Sequence, residues 1–153
     1  MRFILWTFTL VFFLISCGPT VVYENVQSIQ ESKWFYKDSL TYSFTQEDLS
    51  TFFDIVLTVE HQVEYDWENI YLEINTTFPD SVRTSQRLPI DLADLTGTWK
   101  GDCGKETCFL EIDLAKGNRF QQAGDYTITL VQEGRQDPLG GLVSMGIKVV
   151  HSK

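Results

Sequence analysis

Hydrophobic and polar positions alternate along most of this chain with the period of two that a half-buried β-strand imposes. Over residues 39–44, Leu40, Tyr42 and Phe44 share one face, and Ser39, Thr41 and Ser43 share the other. Phe53, Ile55, Leu57 and Val59 repeat the pattern against Asp54, Thr58 and Glu60, with Val56 a mixed position. Ile70, Leu72 and Ile74, with Tyr71 opposite, carry it on to Phe78, where Pro79 and Asp80 supply turn chemistry. Residues 85–92 read as another strand, and Pro89, which cannot donate to a ladder, suits an edge or a bulge there. Segments 109–114, 125–133 and 142–150 complete the set. The clearest of these is Tyr126, Ile128 and Leu130, entered through Ala123-Gly124-Asp125. About seven or eight short strands with turn residues between them predict an all-β antiparallel β-sandwich. Jelly-roll and immunoglobulin-like topologies both fit, because hairpins and Greek-key crossings leave similar local sequence. Residues 92–97 also fit a short helical turn, which leaves the fold class unchanged.

One stretch breaks the alternation. Behind Arg2, residues 3–15 form an apolar run that ends in Leu14-Ile15-Ser16-Cys17. The run is shorter than the roughly 20 residues a membrane-spanning helix needs, and it ends at a small residue followed by cysteine, the form of a cleaved export signal. Leu at −3, Ser at −1 and Cys at +1 resemble the lipobox of bacterial lipoproteins, in which the thiol receives a diacylglycerol and the preceding peptide is removed. Residues 1–16 are therefore expected as a cleaved lipoprotein signal peptide, and Cys17 as the lipidated mature N-terminus. Residues 17–32 are expected as a polar tether and 33–153 as a single β-sandwich domain, a common domain size. An ordinary secretory signal with an incidental Cys17 is the competing reading. One acyl chain holds a protein only marginally, at ~0.8 kcal/mol per buried methylene, so the two or three chains of a lipoprotein are what make the anchor stable. After Cys17, Gly18-Pro19-Thr20-Val21-Val22 carries neither the Asp that commonly marks inner-membrane retention nor an acidic cluster of the surface-export kind. The expectation is the outer membrane, with the sandwich facing the periplasm.

Charge narrows the partners. Twelve Lys and Arg stand against 21 Asp and Glu, a formal net charge of −9, and removing residues 1–16 takes away Arg2 alone among the charges. Nucleic acid is excluded as a partner, since counterion release requires clustered Lys and Arg. A basic patch on an anionic bilayer is excluded too, so membrane attachment falls to the lipid.

Beyond Cys17, two cysteines remain, Cys103 and Cys108, separated by Gly104-Lys105-Glu106-Thr107. In an exported protein an even pair at this spacing favours a disulfide closing a short loop. A zinc half-site competes, but a structural site wants four N or S ligands, and His61 and His151 are isolated in sequence. Catalytic machinery is not evident: there is no Gly-x-Ser-x-Gly, no thiol left over, and no histidine in a recognisable motif. Asp91, Asp94, Asp102, Glu111 and Asp113 could supply a glycosidase pair or loop ligands for calcium, yet a chain this acidic produces such pairs by chance as a solvated surface. No cofactor or metal is expected. Two aromatic clusters, Trp34-Phe35-Tyr36 and Tyr65-Asp66-Trp67, either cap the core or present rings to a glycan. Trp34, Tyr36 and Trp67 are the candidate ligand-facing aromatics.

A resemblance runs through the ordered combination of segments behind the lipobox. Residues 65–78 are followed by Leu92-Ala93-Asp94 and Gly97-Thr98-Trp99-Lys100-Gly101. Then come Ala123-Gly124-Asp125-Tyr126-Thr127, residues 132–135, and finally Leu139-Gly140-Gly141-Leu142-Val143-Ser144-Met145-Gly146-Ile147. This series resembles the GldH family of gliding-motility lipoproteins. The pair Cys103/Cys108 departs from the family pattern, as does Glu64-Tyr65-Asp66-Trp67, where a Tyr-Pro-like turn is usual. The resemblance implies a small β-sandwich lipoprotein of the cell envelope, required for surface gliding and the associated type IX secretion machinery. It also implies an anchored interaction module without enzymatic activity, with other gliding and secretion proteins of the envelope as partners and no catalytic residues to carry over. A surface glycan-binding lipoprotein is the alternative.

Overall fold

The computed structural model describes residues 18 and 20–152; the signal peptide and the lipidation expected at Cys17 lie outside them. The seven strands read from alternation are all present, as β3 (Leu40–Gln46), β4 (Phe53–Gln62), β5 (Asn69–Thr77), β6 (Arg83–Asp91), β8 (Thr107–Asn118), β9 (Gly124–Gln132) and β11 (Leu142–His151). Four more raise the count to eleven: β1 (Val21–Ser28) and the two-residue strands β2 (Lys33–Trp34), β7 (Asp102–Cys103) and β10 (Leu139–Gly140).

One sheet has the order β1-β11-β4-β8-β7 and the other β3-β9-β5-β6, with β10 and β2 paired separately. Leaving the two-residue strands aside, the eight long ones pair so that first meets last, second meets next to last, and so inward to the β5–β6 hairpin, successive pairs falling in opposite sheets. That order is a jelly roll, and every pairing in it is antiparallel. The immunoglobulin-like alternative is thereby set aside.

β1 corrects the expected tether. From Val21 the chain is a strand, paired with β11 from Val21↔Val150 to Ser28↔Ser144, and a 3-10 turn, Gln30–Ser32, follows it. As an edge strand it keeps Val21, Val22 and Val26 in water, so the two-residue alternation that reveals a half-buried strand is absent from it. β6 is an edge, as Pro89 suggested, with Pro89 opposite Tyr71. The mixed position of Val56 sits at a register shift between β4 and β8; it is buried on the outer face of its sheet, opposite Lys148 and Asp113, while Leu57 faces the core. Residues 92–97 form no helix. Gly97 N–H donates to Asp94 O at 3.0 Å, and the Asp94 carboxylate accepts from the backbone N–H of Thr96 and Thr98 at 2.8 and 3.0 Å.

The inner faces supply one core. Tyr42, Ile128, Leu130 and Leu72 from one sheet meet Leu57, Val59, Met145 and Ile147 from the other. Across it the Tyr42 hydroxyl donates to Met145 O at 2.7 Å, a partner that a buried phenol requires. Antiparallel order gives the sandwich two distinct ends. At the N-terminal end, His151 N–H donates to Thr20 O at 3.0 Å, beside loops 47–52, 78–82 and 119–123. The far end carries loops 35–39, 63–68, 92–101, 104–106 and 133–138.

Candidate binding cleft

At the far end, loop 63–68 and loop 133–138 flank a cleft of about 190 Å³ lined by Tyr65, Trp67, Asn69, Tyr71, Arg135 and Leu139 among others. Its floor follows from β5: Ile70 and Leu72 face the core, so Tyr71 must face out, and it does, half exposed. Trp67 is 43% exposed on the loop wall. Arg135 is exposed and forms no ion pair with the described residues.

The wall is held from beneath. Val63 N–H donates to Glu106 O at 2.9 Å, Tyr65 N–H to Gln62 O at 3.0 Å, and Glu68 O accepts from Leu92 and Ala93 N–H at 2.8 and 3.1 Å. The Tyr65 ring is buried against His61, and Gly141 underlies it with φ +89°, where any Cβ would lie 2.8 Å from the ring. Glycine is therefore required there on two counts, handedness and space. Burial pushes the Tyr65 phenol far up, with Asp66 adding to the effect, so it remains protonated.

His61 is fully buried, its ring 4.6 Å from that of Trp99, whose Nε1–H donates to Val63 O at 3.1 Å. Nδ1 lies 2.8 Å from Gln62 O; a carbonyl only accepts, so Nδ1 carries the proton and Nε2 is left bare, without a partner in the structure. Burial pulls the His61 pKa down, and the ring stays neutral. Its place is in the foundation of the cleft, away from solvent and from any nucleophile.

Of the three aromatics singled out in the sequence, Trp67 alone reaches the cleft as a free face. Trp34 is a correction: it is 1% exposed, its Nε1–H donates to Asp38 O at 2.6 Å, and it closes the core below Gln132. The reason is β2, which pairs Trp34 with Leu139 and turns the ring inward. Tyr36 is half exposed, but its hydroxyl donates to Gly134 O at 2.6 Å and its N–H to Asp137 Oδ1 at 2.9 Å. It thus braces loop 133–138 from behind. Tyr71 and Arg135 were not singled out in the sequence, although the outward register of Tyr71 was a usable signal.

The carboxylates do not converge. Lys148 Nζ lies 3.0 Å from Glu111, Lys116 Nζ lies 2.7 Å from Asp113, and Asp94 is held below the usual carboxylate range by its turn, through the Thr96 hydroxyl first and then the backbone N–H groups. Among the described residues no group of three or more His, Cys, Asp or Glu is arranged to hold a metal ion. Cys103 and Cys108 face each other in the β7–β8 register, Cα atoms 4.0 Å apart, joined by a disulfide and closed by Gly104 N–H to Thr107 O at 2.8 Å. Chemically, the cleft offers two flat rings and one cation, which suits recognition of a planar or extended group carrying an acceptor.

The family model described as GldH lipoprotein matches residues 21–149, nearly the whole of the sandwich. The chain belongs to the GldH lipoprotein family. It is also similar to a protein described as a gliding motility lipoprotein GldH homolog in Christiangramia forsetii, 23% identical over 156 aligned residues that cover 97% of this chain and 94% of that one. Among solved structures, the coat protein of tobacco streak virus aligns over 83% of this chain and 85% of its own with 14% identity and a TM-score of 0.27, a level at which the likeness has no weight. GldH membership makes the protein a lipid-anchored component of the cell envelope, in a family named for gliding and not for an enzymatic reaction.

Proposed function

We propose that this GldH-family protein is a non-catalytic interaction component of the outer membrane, held by lipid on Cys17 with its sandwich in the periplasm. Through the far-end cleft it engages other envelope proteins of gliding and of the associated type IX secretion machinery. The observation that carries the reading is the division of labour along the strands: the chain enters at Val21 at one end, and the exposed Trp67, Tyr71 and Arg135 stand at the other. A module tethered at one end meets partners most freely with the opposite one.

The test combines crosslinking and motility. Envelope crosslinks of the native protein should recover a partner that is lost in the double variant Trp67→Ala/Tyr71→Ala, with gliding and secretion lost in parallel at unchanged abundance. Retention of the partner and of both activities would reject the cleft as the contact. Replacing Cys17 with Ala should leave an unprocessed precursor without fatty acid label, and external protease on intact cells should spare the wild type. A glycan-binding role is favoured by one observation, the pair of exposed rings at the cleft. Saturable binding of an envelope polysaccharide, removed by Trp67→Ala, would select it over the protein partner.

A further inference from the structure

At the N-terminal end the two sheets part around a second cavity, of about 390 Å³, within the range of small-molecule sites. Phe44, Phe53, Tyr126 and Ile128 form its depths, Phe78 one wall, and Phe120, reaching in from loop 119–123, its cover. Phe120 packs on Tyr126 at 4.9 Å and on Phe53 at 5.2 Å between ring centroids. The polar residues among its lining are Thr76, Asn118, Arg119, Gln121 and Gln122, with no carboxylate. Two of its three amides are engaged elsewhere: Gln122 Nε2–H donates to Asp80 at 2.9 Å and Gln121 Nε2–H to Arg119 O at 3.1 Å. At the rim, the Arg119 guanidinium lies 4.2 Å from the ring centre of half-exposed Phe52, and Val82 is exposed on the neighbouring loop. The aromatic and aliphatic depths suit a hydrocarbon, and the one charged lining residue, Arg119, has its guanidinium stacked on Phe52.

The occupant is indicated by where the chain enters. Thr20 is fixed to His151, and His151 is opposite Phe53 in the β11–β4 register. Two strand spacings, about 10 Å, thus separate Thr20 from the cavity wall. Cys17 precedes Thr20 by three residues, which reach at most about 11 Å when extended. A thiol on that leash can come to the cavity mouth, and an acyl chain is about half of the ~30 Å hydrocarbon core of a bilayer in length. We propose that this cavity receives one acyl chain of the lipid carried by Cys17, the remaining chains staying in the bilayer. The inference rests on lipidation at Cys17. Holding one chain presses the N-terminal end to the membrane and aims the Trp67 cleft away from it, so the lipid sets orientation as well as attachment.

The experiment uses the full-length lipoprotein in native membranes, acylated in the cell with a diazirine-bearing fatty acid and irradiated. The expected product is an intramolecular adduct from Cys17 to residues 118–128. Lengthening the three-residue leash to about twelve with Gly and Ser should lower that adduct about eightfold, as effective concentration falls with the three-halves power of tether length. Ile128→Trp should remove it by filling the cavity. Thr76→Phe, at the cavity wall, serves the same end should Ile128→Trp fail to fold, with circular dichroism as the check. Acylated protein whose adducts go only to phospholipid or to other proteins would overturn the proposal while leaving the anchor intact. The same adduct obtained from a photoreactive phospholipid, with Cys17 unlabelled, would assign the cavity to bilayer lipid and overturn it too. Absence of any label on Cys17 would reject the anchor and, with it, this inference.

Discussion

At the N-terminal end, Phe44, Phe53, Phe120 and Tyr126 turn edges and faces on one another in a cavity whose lining carries amides and Arg119 and no carboxylate. At the far end, Trp67 on its loop and Tyr71 on β5 stand half in water beside Arg135, and the loops of that end carry Glu64, Asp66, Glu68, Asp94 and Glu106. Both ends are aromatic, but rings that pack between the sheets supply cohesion, while rings on the outer face of β5 and its preceding loop are free to bind. Position relative to the two sheets, not residue type, separates the two roles.

The sharpest way to break that contrast is substitution at matched rings. Phe53→Ala removes a ring that is 1% exposed and should cost about 3–5 kcal/mol in urea unfolding. Trp67→Ala, on the exposed wall, should change stability by no more than ~0.5 kcal/mol while abolishing partner capture. Equal destabilisation by the two would dissolve the distinction between the ends.

Next in size is the disulfide, which belongs to the far end alone. Reduction should lower stability by about 2 kcal/mol, because the loop it closes is short. Thermal unfolding with and without reductant measures this, and alkylation followed by intact mass should find neither Cys103 nor Cys108 free in native protein. A drop large enough to abolish folding would mean that the far end depends on its bridge more than its packing indicates.

A smaller effect tests the foundation of the cleft. Burial depresses the His61 pKa from an ordinary 6.5, so the unfolded chain binds a proton near pH 6 that the folded one refuses. Stability is therefore full above about pH 6.5 and should fall as pH drops from there toward the folded-state pKa. Denaturant midpoints at pH 7 and pH 5 should differ in that direction, and His61→Phe should flatten the difference. A slope that survives the substitution would place its origin in other groups. Smallest of all, single changes of Asp91, Glu111 or Asp113 to Asn or Gln should stay within ~0.5 kcal/mol and leave gliding and secretion nearly normal. Loss of motility in one of these at normal abundance would point to an acid/base or calcium site and away from a scaffold.

Alternation was enough to find seven strands and is cleanest in β3 and β9, which bury one face; Tyr126, Ile128 and Leu130 are buried as their spacing requires. β1 escaped because Val22 and Val26 lie in water and its stability comes from β11, more than a hundred residues away in the chain. The strand order escaped for the same reason, since no local signal records that first pairs with last. In the cleft, the loop position of Trp67 was legible, whereas Trp34 was misread because two residues of β2 decide which way its ring turns. Arg135 carried no pattern at all; only the fold brings residue 135 beside residue 67.

The pairing of β1 also has a mechanical meaning. β1 runs from the N-terminal end to the far end, paired with β11 at seven register positions through a ladder whose hydrogen bonds lie across the strand axis. With anchor and partner placed as proposed above, a pull between them would run along that axis and load the paired positions in shear instead of peeling them one by one. An edge strand that looks poorly buried would thereby be well placed to bear tension.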